Sequence, residues 1–109
     1  MGWFSKDTEE DALKLIDKIN REMREISASV HLNFDMIDGR NRNIVRNHYN
    51  NILSSYNKYN RIKSNLQDYE RVMLLGATVI AWNGESVGVI MWETYMENTL
   101  HMLHNEINY

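Results

Sequence analysis

Glu93, Glu97, His101 and His104 follow one another at spacings of four, four and three residues. On a helix, that spacing sets carboxylate and imidazole on one face, a donor pair that zinc or iron accepts. Helical bundles build di-iron centres from Glu-x-x-His helices whose ligands point inward. No Glu-x-x-His occurs in this chain, and the row lies off the neighbouring apolar stripe. A solvated polar face is therefore the expected reading. Glu97, His101 and His104 stand as the candidates should the protein be a metal-dependent helical-bundle enzyme. His31, Asp35 and Asp38 repeat the spacing earlier in the chain.

Other chemistry is scarce. There is no cysteine, which removes thiolate nucleophiles, disulfides and cysteine-rich zinc sites. No Ser-His-Asp order is visible. The stretch "LGATVIAWNG" contains glycines without the spacing of a phosphate-binding loop. His48 falls on an apolar stripe and reads as a hydrogen-bonded core histidine, and the methionines read as gap fillers. No catalytic residue and no cofactor is expected.

The elements that position these groups are helical. The chain has no proline and five glycines in 109 residues, few breakers for its length. Thr8-Glu9-Glu10-Asp11 resembles a capping box with acids at the positive end of a helix dipole. From there Ile16, Ile19, Met23, Ile26, Val30 and Ile37 keep a helical period, so a first helix is expected over about 8–38, ended by Gly39. Val45, His48, Ile52, Ser55, Tyr59, Ile62, Leu66, Tyr69 and Met73 carry the same period over about 41–82. A break near Ser64, where Ser64-Asn65-Leu66-Gln67 is another capping pattern, is the second reading. Trp92, Met96, Leu100, Leu103 and Ile107 define a last helix over about 86–107.

Between the last two lies "VIAWNGESVGVIMW". Asn83-Gly84 between apolar runs is a strong hairpin signal. Against it, apolar residues fall on both faces of each strand, the helical phases run in from either side, and a lone two-stranded ribbon is marginal in water. A helix-turn-helix crossing is favoured. The expected fold is a single all-α domain over 1–109: an antiparallel bundle of three long helices, four if the second breaks. An α+β fold with a hairpin at Asn83-Gly84 is the alternative.

Charge is segregated along the chain. Residues 1–38 hold five basic and nine acidic side chains, residues 39–67 six basic and none acidic, and residues 68–109 one basic and six acidic, within a net charge of −3. On a helix, Arg42, Arg46, Lys58 and Arg61 share roughly half of the wheel with Asn43, Asn47, Asn50, Asn57 and Asn60, opposite the core stripe. The bland reading is a solvated face. The functional one is a docking ridge for an acidic protein, with Arg42, Arg46, Tyr49, Asn50, Lys58 and Arg61 as contacts and Leu53 and Tyr56 adding apolar area. A nucleic-acid backbone is the weaker fit, because few cations share the ridge and the flanking helices repel phosphate.

The composition, 43% hydrophobic and 25% charged, is that of an ordinary globular domain. The start "MGWFSKDTEEDA" shows no secretory signal, and the longest apolar run is too short to span a bilayer. With the lack of cysteine, a cytoplasmic location is expected. Trp3 and Phe4 could touch a membrane surface. Three unequal helices would leave a strip that self-association or a partner could cover. The expected function is a non-catalytic protein–protein interaction module: a small adaptor, inhibitor or regulator.

Overall fold

The computed structural model describes residues 7–29 and 42–108. Their elements run α1 (Glu9–Ser29), α2 (Arg42–Asn65), α3 (Asp68–Leu75), β1 (Thr78–Ile80), β2 (Ser86–Gly88) and α4 (Val89–Ile107). Over the described residues the fold is an all-α bundle of four helices with one small antiparallel hairpin. The stretch 30–38 of the expected first helix, with His31, Asp35 and Asp38, lies outside the described residues, as do Trp3 and Phe4.

The α1 start follows from its capping residues. The Asp11 N–H donates to Thr8 Oγ1 at 3.2 Å, and the Thr8 N–H donates to Asp11 Oδ2 at 3.0 Å. Two helix-end donors are thus satisfied reciprocally. Ala12, Leu15, Ile16, Ile19, Met23 and Ile26 are buried along one stripe.

The second expected helix breaks where its capping pattern lies. α2 stops at Asn65, and α3 starts at Asp68 after two intervening residues. A helix end leaves carbonyls without partners, and Arg71 takes them up from α3. Its Nε donates to the Lys63 carbonyl at 3.3 Å, and its Nη2 donates to the Ser64 and Leu66 carbonyls at 3.3 and 2.9 Å. Leu66, at the corner, is buried.

Within residues 77–92, Thr78 to Gly88 form a hairpin that leads directly into α4 at Val89, in place of the favoured helical crossing. β1 pairs antiparallel with β2 in the register Thr78–Gly88, Val79–Val87, Ile80–Ser86. Trp82, Asn83 and Gly84 make the turn. The Gly84 N–H donates to the Ala81 carbonyl at 3.0 Å, and the Ala81 N–H donates to the Glu85 carbonyl at 2.8 Å. Gly84 has a φ of 87°, which costs glycine little and other residues more. Helices cover one face of the ribbon: Val79 and Ala81 are buried. That cover removes the objection to a bare two-stranded ribbon.

α1 and α4 both run antiparallel to α2. Asn65 reaches Asp7 while His48 reaches Glu22 on one side. Lys63 reaches Glu93 while Arg46 reaches Ile107 on the other. Trp92 sits fully buried where α1, α2, α4 and the hairpin meet. Tyr59 meets its ring edge-on at 5.4 Å, and Tyr56 stacks on Tyr59 at 5.8 Å.

Candidate binding surface

α2 faces inward with Val45, Tyr49, Ile52, Ser55, Tyr56, Tyr59 and Ile62. The opposite side exposes Asn43, Arg46, Asn47, Asn50, Ser54, Asn57, Lys58 and Arg61, with Arg42 and Asn60 half-buried. The helical period thus turns Asn50, Lys58 and Arg61 to solvent, as the wheel predicts.

Four residues expected to contribute to the ridge have other roles. Tyr49 is 9% exposed and belongs to the core, its hydroxyl 3.4 Å from His104 Nδ1. It lies one turn from both Val45 and Ile52, so the packing that buries them buries it too. Tyr56 is buried and Leu53 packs half-buried on the core, so the ridge carries little apolar area. Arg46 is exposed but tethered: one Nη donates to the Ile107 carbonyl at 3.1 Å and the other to Asn43 Oδ1 at 3.3 Å. It caps α4 at the negative end of that helix's dipole.

Folding consumes other cations as well. Lys63 Nζ donates to Glu93 at 2.9 Å, and the same carboxylate accepts from the Tyr59 hydroxyl at 2.6 Å. Burial, then the hydrogen bond and charge of Glu93, push the Tyr59 hydroxyl pKa far above the usual tyrosine range. Burial, then the charges of Glu97 and Glu93, do the same to Tyr56. Arg71 is spent on the α2 end and on Asp68.

Lys58 and Arg61 remain without a carboxylate partner among the described residues, and α1 brings them a third cation. A groove of about 480 Å³ is lined by Lys18, Ser54, Ser55, Asn57, Lys58 and Arg61. Beside it, an open cleft of about 450 Å³ is lined partly by Asp7, Asp11, Lys14 and Lys58. Sequence reasoning missed Lys18 because it sits in a net-acidic segment. The signal that could have found it was antiparallel pairing of α1 with α2, which sets Lys18 opposite Ser54 and Lys58.

The α4 donors do not assemble. His101 lies exposed near Asn105, His104 pairs with Tyr49 and Asn108, and Glu93 is held by Tyr59 and Lys63. Among the described residues, the one trio of metal-ligating groups that converges is Glu22, Glu25 and His48, on the α1–α2 seam. Glu97, His101 and His104 are not among the converging metal-ligating groups of the described residues. His48 itself is at the edge of the core, its side chain 22% exposed.

Tyr69, Val72 and Met73 on α3, Ile80 on the hairpin, and Ile90 and Met91 at the start of α4 are exposed. No helix among the described residues is long and apolar enough to cross a membrane. No known protein family, curated protein or solved structure matches the chain.

Proposed function

We propose that the chain is a non-catalytic protein–protein interaction module, a small adaptor, inhibitor or regulator acting in the cytoplasm. It presents the outer face of α2 to an acidic protein surface. The observation that carries this reading is the convergence of Lys18, Lys58 and Arg61, with no acid pairing them among the described residues. Lys63, Arg71 and Arg46 are each engaged within the fold, whereas Lys18, Lys58 and Arg61 line one groove and are the cations that an acidic partner would meet there. Arg42 and Asn50 extend the same face toward the other end of α2. Serine hydroxyls and asparagine amides between the cations offer donors to carboxylates.

Titration with a labelled poly-glutamate peptide tests this. Lys58→Glu with Arg61→Glu should weaken binding about tenfold or more, since each exposed charge pair is worth roughly 0–1 kcal/mol and reversal adds repulsion. Helicity should not change. Equal affinity of the double variant and the parent would remove the ridge from the account. A parallel titration with a single-stranded oligonucleotide separates the nucleic-acid alternative. Tighter binding there, falling steeply with salt, would favour phosphate over protein carboxylate.

The exposed apolar residues favour a second interaction, self-association through the end of the molecule built by α3, the hairpin and the start of α4. Large exposed apolar groups gathered in one region mark contact surfaces more often than isolated ones do. Sedimentation over a range of concentrations tests it: Val72→Asp with Ile90→Asp should hold the chain monomeric where the parent dimerises.

A further inference from the structure

The geometry points to a divalent-metal site, suited to zinc, at Glu22, Glu25 and His48, clamping α1 to α2. Glu22 and Glu25 are one turn apart, so both carboxylates project from the same face of α1. His48 meets them from α2. Its Nδ1 lies 2.7 Å from Glu22 Oε2 and 3.7 Å from Glu25 Oε2. One ligand atom from each residue falls within 4.8 Å of the others.

Those separations suit a small dication. Tetrahedral zinc, with bonds of about 2.0–2.2 Å, needs donors roughly 3.2–3.6 Å apart. The two distances to His48 bracket that range, so small side-chain rotations would admit the ion. Charge argues the same way. Two carboxylates one turn apart repel each other, and a single imidazole neutralises at most one of them. A dication offsets both. The donor set also selects the metal: imidazole with carboxylate suits zinc and its transition-metal neighbours, whereas calcium and magnesium take oxygen throughout.

Access is open. The Glu22 and His48 side chains are each 22% exposed and that of Glu25 is 58% exposed. Three protein ligands leave one tetrahedral position for water. The site is remote in chemistry from the cationic groove, and it stands whether or not that groove binds a partner. An ion bridging the two helices stabilises the folded chain by mass action, because the unfolded chain does not hold the three ligands together.

The test is a zinc titration of the full, untagged, metal-stripped chain against a chromophoric chelator, with melting temperature read in parallel. Expected are one zinc per chain and a rise in melting temperature, with magnesium and calcium giving neither. His48→Ala, and separately the exposed Glu25→Gln, should weaken zinc binding at least about tenfold, because each removes a direct ligand. Their helicity, read by circular dichroism, should match the parent's. The double variant His101→Ala with His104→Ala should bind zinc as the parent does. Zinc binding that survives His48→Ala and is lost in the His101/His104 variant would overturn the assignment, as would no zinc binding by the parent.

Discussion

Two polar clusters pin α1 to the rest of the molecule, and they are built on opposite terms. At Asn20, 1% exposed, both ends of the amide are hydrogen-bonded. Its Nδ2 donates to the Ile80 carbonyl at 2.8 Å, and its Oδ1 accepts from Trp92 Nε1 at 2.8 Å. No charge is present and both partners are satisfied. Within about one and a half turns further along, Glu22 and Glu25 meet His48 with a surplus of carboxylate and partial access to water. The difference separates a group that holds the fold from a group that has capacity to spare. A buried polar cluster with balanced donors and acceptors is structural. One with unmatched charge at the surface is where a ligand would gain most.

That contrast is easiest to break at Asn20. Asn20→Ala leaves the buried Trp92 N–H and the Ile80 carbonyl unpaired and should cost ~2–4 kcal/mol, read by urea unfolding. A cost below ~1 kcal/mol would show that the cluster does not hold the hairpin to the bundle. Tyr59→Phe comes next. It removes a hydrogen bond to the mostly buried Glu93 carboxylate, and the expected loss is ~1.5–3 kcal/mol. Arg71→Ala should cost ~1 kcal/mol by uncapping α2, with helicity falling at the α2–α3 corner in hydrogen exchange. His48→Ala, measured without metal, should cost less than ~1 kcal/mol, since its partners stay hydrated. A larger loss would move the seam cluster into the structural class. Smallest of all, Lys58→Glu with Arg61→Glu should change stability by no more than ~0.5 kcal/mol, as expected for exposed side chains with no fold contacts.

Much of this architecture was legible in the sequence. The Thr8 cap, the stripe from Ile16 to Ile26, the α2 stripe and the α4 stripe from Trp92 to Ile107 each depend on neighbours three or four residues away. Local period reports such contacts well. The hairpin was harder to read. Asn83-Gly84 announced its turn, yet its strands are stabilised by Asn20, distant in sequence, and by the helices that bury Val79. No window of residues contains that cover. The end of α2 was similarly ambiguous until Arg71 folded back onto its last carbonyls.

Site residues divide the same way. Lys58, Arg61 and Asn50 were readable because exposure follows from the wheel. Tyr49 was misplaced because it sits at the border of the stripe, where packing against α4 decides its side. Lys18, and the meeting of Glu22 and Glu25 with His48, depend on the antiparallel register of α1 on α2. The chain does not state that register locally. Net charge by segment concealed Lys18 among acids that point elsewhere.

The central claim is that Lys18, Lys58 and Arg61, gathered along one groove without a carboxylate partner among the described residues, form the contact surface. Amide chemical-shift mapping during titration with poly-glutamate tests it most directly. The account predicts shifts concentrated at Lys18, Ser54, Asn57, Lys58 and Arg61, with Lys63, Arg71 and the Asn20 cluster unmoved. Shifts centred instead on Val72, Ile80 and Ile90, or none at saturating peptide, would contradict it.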